Sequence, residues 1–119
     1  MKPGATGISR IIDATGYSFK GLKAAWINEA AFRQELVLMV LLTAVTFFLP
    51  ITKLEQAIMV GTLFIVVITE LLNSAVEVVV DRIGSEHHDL SGRAKDIGSA
   101  AVFVSLTLVV VIWTMLLFF

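Results

Sequence analysis

The sequence predicts an all-α membrane protein with three transmembrane helices and an N-terminal amphipathic helix on the membrane surface. Of the 119 residues, 57% are hydrophobic, and the mean hydropathy is +0.90. Long apolar runs alternate with short polar segments, and residues 97–119 form a run of 23 residues without a charge. A helix needs about 20 apolar residues to span a bilayer. We therefore expect one integral-membrane domain over residues 1–119.

The surface helix is predicted over residues 8–27. Apolar residues recur there at helical spacing, with an interruption near Gly16, and basic residues lie off the apolar stripe. This pattern is typical of a helix that lies on an anionic leaflet. It leaves open that the same face packs against other helices. The apolar stripe consists of Ile8, Ile11, Ile12, Phe19, Leu22 and Trp26, and the basic residues are Arg10, Lys20 and Lys23.

The first span is predicted over residues 29–49. Its uncharged part, Leu36–Leu49, has 14 residues, so the span must include the charged residues that precede it. Glu29 and Arg33 are four residues apart, which leaves an ordinary exposed ion pair open as their role. Pro50 is expected to end the helix because its ring cannot continue it.

The second and third spans are predicted over residues 53–83 and 97–119. Thr52-Lys-Leu-Glu55 matches a capping box, which marks the start of the second helix. Residues 84–96 are expected to form a polar connection. Eight of the nine Lys and Arg residues lie outside the short turn between the first two spans. The positive-inside rule therefore places the amino terminus in the cytoplasm and the carboxyl terminus outside.

A polar stripe on the second span is the predicted functional site. At about 100° per residue, Glu70, Asn73, Ser74, Glu77 and Asp81 share one helix face. Acids in or near a span are costly and mark functional sites by default, although these could merely bind neighbouring helices. Glu70 lies about 24 Å along the helix from Leu54, just inside the cytoplasmic boundary of the hydrocarbon layer, and Glu77 lies about 10 Å further out. This arrangement suits chemistry between a lipid and a charged, soluble co-substrate.

Composition and motifs restrict the chemistry. The chain has no cysteine, its net charge of −1 gives no sign of nucleic-acid binding, and no Walker A or protein-kinase motif is present. His87 and His88 are adjacent, which favours solvated loop residues over a zinc site. Carboxylates without cysteine favour a hard ion such as Mg²⁺. The spacing alone predicts a membrane enzyme or transporter with a carboxylate site at the cytoplasmic interface.

The polar segments resemble the prokaryotic diacylglycerol kinase family. The pattern E-x-x-N-S-A-x-E-x-x-x-D occurs at Glu70–Asp81, and residues 24–35 and 82–101 are similar to the family as well. The resemblance implies a homotrimer in the bacterial inner membrane, with active sites shared between subunits. It also implies transfer of the ATP γ-phosphoryl group to diacylglycerol, giving phosphatidic acid, with Mg²⁺ as the cofactor.

The resemblance also implies roles for individual residues. Glu70 would be the general base, and Asn73 would orient groups at the reaction centre. Glu29 and Glu77 would bind Mg²⁺. The nucleotide-binding residues would be Arg10, Tyr17, Glu29, Glu77, Glu86, His87, His88, Lys95 and Asp96, and the lipid-binding residues Ala31, Phe32, Arg33, Gln34, Glu35, Glu70 and Ser99.

Three other functions are open to such a chain. An undecaprenol kinase would share the motif, but the match over both polar segments favours diacylglycerol. A small proton-coupled exporter also carries a membrane glutamate, but such exporters have four spans and a mid-membrane acid. A scaffold protein would not need an acidic stripe together with Glu29 at one depth.

Overall fold

The computed structural model describes residues 6–84 and 86–119, and all regular structure in that part of the chain is helical. The helices are α1 (Gly7–Asn28), α2 (Ala30–Thr46), α3 (Lys53–Ile83) and α4 (Asp89–Phe118). Helix α3 packs against both α2 and α4, and α1 packs against α2. The all-α prediction is confirmed for these residues.

Helix α1 is continuous, so the predicted interruption near Gly16 is wrong. Two hydroxyls that could have competed with the helix instead bond back to it: Thr15 Oγ1 donates to Ile11 O at 2.8 Å, and Ser18 Oγ donates to Ala14 O at 2.9 Å. A glycine costs a helix only about 1 kcal/mol relative to alanine. Gly16 therefore does not break it.

The chain turns sharply between α1 and α2 at Glu29. This residue has extended backbone angles, φ −118° and ψ 103°, and forms the C-cap of α1 and the N-cap of α2. The ion pair considered for Glu29 and Arg33 is not present. Arg33 Nη1 instead donates to the carbonyls of Trp26 at 2.6 Å and Ile27 at 3.1 Å, which satisfies free acceptors at the end of α1.

Helix α2 ends at Thr46, one turn before Pro50. The three residues after Thr46 donate to carbonyls only three positions back, so the chain tightens before the proline. A residue before proline avoids the α-helical region, which explains the early end. With 17 residues, α2 is about 26 Å long.

Helix α3 begins with the predicted capping box, which is confirmed. Thr52 Oγ1 accepts from Glu55 N–H at 3.1 Å, and Glu55 Oε1 accepts from Thr52 N–H at 2.9 Å. Helix α4 begins at Asp89, earlier than predicted, because His88 Nδ1 caps it by accepting from Leu90 N–H at 3.1 Å. The connection between α3 and α4 is therefore residues 84–88, not 84–96.

The helices bury a small core and leave much apolar surface outside. Phe32 packs with Ala25 and Val67 where α1, α2 and α3 meet. Large side chains such as Phe48 and Phe103 remain exposed, and Ser105 is the buried residue of α4. Helices α3 and α4 are long and apolar enough to cross a membrane, whereas α2 is shorter. Exposed apolar surface of this extent fits a lipid environment.

Hydrogen bonds join the helices at the end furthest from the polar stripe. Trp113 Nε1 of α4 donates to Met59 O at 3.2 Å and Thr62 Oγ1 at 3.0 Å on α3. Gln56 Nε2 donates to Thr46 Oγ1 at 3.0 Å and joins α3 to α2. Unpaired polar groups are costly among apolar side chains, so these bonds fix the register of α2 and α4 against α3.

Candidate active site

The polar stripe of α3 runs from buried to exposed along one helix face. Glu70 is 5% exposed, and Asn73 and Ser74 are also buried. Glu77, two turns beyond Glu70, is half-buried, and Asp81 is exposed. Lone buried carboxyl groups are rare because desolvation disfavours their charge. The stripe thus combines a shielded acid at one end with water-accessible acids at the other.

A second acid approaches Glu70 from α2. The carboxyl groups of Glu35 and Glu70 lie within hydrogen-bonding reach of each other, and Glu29 and Glu77 lie near enough to add to the negative potential at Glu70. Glu35 Oε2 is buried and has no hydrogen-bond partner among the described residues. Glu70 is therefore influenced by three other carboxyl groups, which come from α2, from the α1–α2 turn and from its own helix.

Asn73 lies between the buried and the half-buried acids. Its Nδ2 donates to Glu77 Oε1 at 3.4 Å, one turn away on the same helix. Asn73 Oδ1 and Ser74 Oγ are buried without a hydrogen-bond partner in the described part of the chain. Buried polar atoms in native proteins usually have partners, so these two unpaired atoms distinguish the stripe from an ordinary helix face.

Glu29 and Ser74 both line an open apolar cavity of about 700 Å³ between α1 and α3. Small residues on α1 leave this space free, and a drug-sized ligand needs a cavity of similar size. Glu29 reaches it because the α1–α2 turn places residue 29 at the cavity edge, and its side chain caps neither helix. The other lining residues are Ser18, Gly21, Leu22, Ala24, Ala25, Asn28, Leu71, Ala75, Val78 and Val79.

Glu29 and Glu77 carry oxygen ligands of the kind that Mg²⁺ prefers. No group of three or more His, Cys, Asp or Glu side chains arranged to hold a metal occurs within residues 6–84 and 86–119. Mg²⁺ commonly takes one or two carboxylates and completes its octahedron with water and substrate phosphates. The two glutamates therefore fit a magnesium ion that arrives with a phosphate ligand.

A smaller polar cavity of about 290 Å³ lies where α3, the connection and α4 meet. Four of the predicted nucleotide residues line it: Glu86, His87, His88 and Lys95. Lys95 Nζ lies 2.8 Å from Asp81 Oδ1, and this hydrogen bond, followed by the carboxylate charge, raises the pKa of Lys95. Lys95 precedes the apolar run that starts at Ile97, so its ammonium group faces water beside the acidic stripe.

The remaining predicted nucleotide residues lie elsewhere. Arg10 and Tyr17 are exposed on α1, and Lys20 Nζ lies 5.7 Å from the centroid of the Tyr17 ring. Asp96 is exposed on α4 beside Lys95. None of the three lines the polar cavity formed by the described residues. Arg10 and Tyr17 on α1 therefore lie on a different surface from the nucleotide residues that line the polar cavity.

The predicted lipid residues differ in their environments. Phe32 is 1% exposed and belongs to the core. Glu35 is half-buried. Three of the residues are exposed: Ala31, Gln34 and Ser99. Arg33 is half-buried and bonded to the end of α1, a contact that the sequence did not indicate. An arginine a few residues beyond a helix end is the signal that could have suggested it.

The chain is similar to known kinases over almost its whole length. The family model described as "Prokaryotic diacylglycerol kinase" matches residues 16–117. The diacylglycerol kinase of Escherichia coli K12 is 52% identical over 117 residues, which are 98% of this chain and 96% of that protein. That of Haemophilus influenzae is 54% identical over 96% of this chain and 97% of its own. That of Pseudomonas aeruginosa is 50% identical over 96% and 93%.

Proposed function

The chain belongs to the prokaryotic diacylglycerol kinase family and is a lipid kinase, and we propose that it phosphorylates the primary hydroxyl of diacylglycerol with ATP. The products are phosphatidic acid and ADP. The observation that carries the proposal is the gradient along α3, from buried Glu70 through Asn73 to half-buried Glu77. It joins a shielded base to acids that reach water, as a reaction between a lipid and a nucleotide requires.

Glu70 acts as the general base in this proposal. The lipid hydroxyl oxygen forms a bond to the γ-phosphorus, while the bond from that phosphorus to the β–γ bridging oxygen breaks and ADP leaves. The hydroxyl proton moves to the Glu70 carboxylate. Phosphoryl transfer depends mainly on in-line positioning and charge neutralisation, so a positioned base and fixed dipoles suffice. Asn73, whose Nδ2 donates to Glu77, orients groups between the two substrates.

Glu29 and Glu77 would hold the magnesium ion that accompanies ATP. When bound, the ion would neutralise charge on the phosphate oxygens. The two glutamates come from different segments, the α1–α2 turn and α3, so the fold sets the distance between them. Asn73 restrains Glu77 through its amide hydrogen bond, which limits the rotamers of that carboxylate.

The nucleotide and the lipid approach from different sides of the acidic stripe. Four of the residues that contact the nucleotide line the polar cavity: Glu86, His87, His88 and Lys95. The nucleotide also contacts Arg10, Tyr17 and Asp96. The apolar cavity beside Glu29 and Ser74 offers space for an acyl chain. The glycerol end contacts Glu70 and Ser99 together with residues 31 and 33–35, whereas Phe32 stays in the core. These assignments follow the family resemblance, and the polar cavity supports those of Glu86, His87, His88 and Lys95.

We propose that α2, α3 and α4 are all membrane spans, with the amino terminus in the cytoplasm and α1 on the cytoplasmic face of the bacterial inner membrane. The chain has no cysteine, so an introduced thiol is unique. A membrane-impermeant maleimide should label Phe119→Cys in intact spheroplasts and Ser9→Cys only after lysis. Labelling of Ser9→Cys before lysis would contradict this topology.

We propose that the active protein is a homotrimer with shared sites. Support comes from the two separate surfaces that carry the nucleotide residues, because a neighbouring subunit could bring α1 to the polar cavity. The test mixes Glu70→Gln subunits with Arg10→Ala subunits, and each variant alone is expected to have little activity. If each site takes these two residues from adjacent subunits of a closed ring, about a quarter of the sites in an equal mixture contain both intact residues. The mixture should then recover about a quarter of full activity. No recovery would place both residues in one subunit.

Phosphatidic acid formation tests the proposed function directly. The purified chain in mixed micelles receives Mg·ATP and either dioleoylglycerol, undecaprenol or no lipid. We expect rapid product formation with dioleoylglycerol and little turnover in the other two mixtures. Faster phosphorylation of undecaprenol would assign the chain to the alternative substrate. ATP hydrolysis that no lipid stimulates would refute the proposal.

A further inference from the structure

A close approach between α3 and α4 lies beside the proposed reaction centre. Gly98 of α4 faces Asn73 of α3, and a Cβ atom added at Gly98 would overlap Asn73 Oδ1 and lie 3.3 Å from Asn73 Cγ. The helical glycines Gly16, Gly21, Gly61 and Gly92 differ, because a Cβ there meets no atom within 4 Å. Gly98 therefore has a specific steric reason to lack a side chain, and that reason is Asn73.

The orientation of the Asn73 amide follows from its other neighbour. Glu77 is a carboxylate and can only accept, so the amide nitrogen of Asn73 must face Glu77 and the oxygen must face away. Gly98 lies in that direction. Its Cα carries a hydrogen where other residues carry Cβ, and that hydrogen points to Asn73 Oδ1. Glycine Cα–H groups form weak hydrogen bonds to oxygen at helix–helix interfaces. The Gly98 backbone thus contacts the Asn73 amide and restricts its rotation.

We infer that Gly98 is a positioning residue for phosphoryl transfer and acts through Asn73. The inference rests on the proposed function, in which Asn73 orients groups at the centre and restrains Glu77. A methyl group at position 98 would rotate the Asn73 side chain or move α4 away from α3. Rotation withdraws Nδ2 from Glu77 and frees a carboxylate that would bind Mg²⁺, whereas a shift of α4 removes the contact that fixes the Asn73 amide.

Gly98→Ala tests this inference, with Gly61→Ala as the matched control because residue 61 is also a helical glycine and has open space beside it. Displacements of about 1 Å can cost about 100-fold in rate. We expect Gly98→Ala to lower kcat by about 10- to 100-fold and to raise the Mg²⁺ concentration at half-maximal rate. The KM for diacylglycerol should not change. Gly61→Ala should behave as the unmodified chain, and wild-type kcat in Gly98→Ala would overturn the inference.

A double-mutant cycle separates this role from general packing. Asn73→Ala removes the atoms that a methyl at position 98 would meet. In that background, Gly98→Ala should cause no further loss of kcat, because the group through which Gly98 acts is already absent. This comparison still applies if Gly98→Ala fails to fold alone, since the shortened residue 73 makes room for the methyl. If Gly98→Ala lowers kcat in the Asn73→Ala chain by as large a factor as in the otherwise unmodified chain, the inference is overturned.

A spectroscopic measurement does not depend on the reaction. The side-chain ¹⁵N–¹H₂ resonances of Asn73, assigned by comparison with Asn73→Ala, should shift in Gly98→Ala and remain in place in Gly61→Ala. Unmoved resonances in both variants would show that Gly98 does not position the amide. Failure of the unmodified chain to make phosphatidic acid would refute the proposed function alone and leave this measurement decisive for Gly98.

Discussion

Glu70→Gln is expected to lose about 100- to 10,000-fold in turnover, the range that general-base catalysis supplies. The substitution keeps the size of the side chain and removes its ability to take a proton. Glu70 is 5% exposed and lies within hydrogen-bonding reach of the Glu35 carboxyl group, so bulk water cannot readily replace it as the base. A loss beyond that range would indicate that the lipid hydroxyl is also misplaced.

The same variant should assemble and bind nucleotide normally. Neutralising a buried acid removes a desolvation cost, and Glu77 and Lys95, which we propose as nucleotide-site residues, are unchanged. We therefore expect the oligomeric state of the unmodified chain by size analysis and an unaltered affinity for a non-hydrolysable ATP analogue with Mg²⁺. Loss of that oligomeric state would instead assign Glu70 a structural role, and near-normal phosphatidic acid formation would exclude it as the base.

Glu55→Gln is the matched control for this experiment. Glu55 lies on the same helix, at the opposite end from the acidic stripe, and closes the capping box with Thr52. Glutamine can replace glutamate in that motif, so the helix start is preserved. Turnover close to that of the unmodified chain would show that a Glu→Gln change in α3 is not damaging in itself.

Local signals in the sequence were sufficient to predict most of α3. The capping box marks the start of the helix, and helical spacing places Glu70 and Asn73 on one face. Both side chains are buried, as expected for polar residues within an apolar stretch of a packed helix. The same signals misjudged the boundaries of other helices. The turn before Pro50 and the cap that His88 provides depend on hydrogen bonds that hydropathy does not encode.

Contacts between helices could not be predicted from the sequence. Arg33 was considered as a partner of Glu29, but it bonds carbonyls of α1 because the chain turns at residue 29. The proximity of Glu35 to Glu70 and of Gly98 to Asn73 depends on how α2 and α4 pack against α3. Helical periodicity defines which residues share a face, and it does not define which face of the neighbouring helix they meet.

Glu77→Gln is the second substitution for which we expect a large effect, and it should act on the metal. An amide is a weaker ligand for a hard cation than a carboxylate. Loss of an outer-shell partner of a metal ligand already costs about 10- to 100-fold in metal affinity, so loss of a direct ligand should raise the Mg²⁺ requirement at least as much. Glu77 is half-buried and receives the Asn73 amide at 3.4 Å, and a glutamine there would also weaken that restraint.

Titration of activity with Mg²⁺ at saturating ATP distinguishes this effect from loss of the base. Glu77→Gln should recover part of its turnover at high Mg²⁺, because Glu29 still supplies a carboxylate from the α1–α2 turn, whereas Glu70→Gln should recover none. Glu77→Asp should lie between Glu77→Gln and the unmodified chain, since it keeps the charge and shortens the reach. An unchanged Mg²⁺ dependence in Glu77→Gln would mean that residue 77 is a solvated helix residue, and the ion would then have to be bound by Glu29 and the nucleotide phosphates without it.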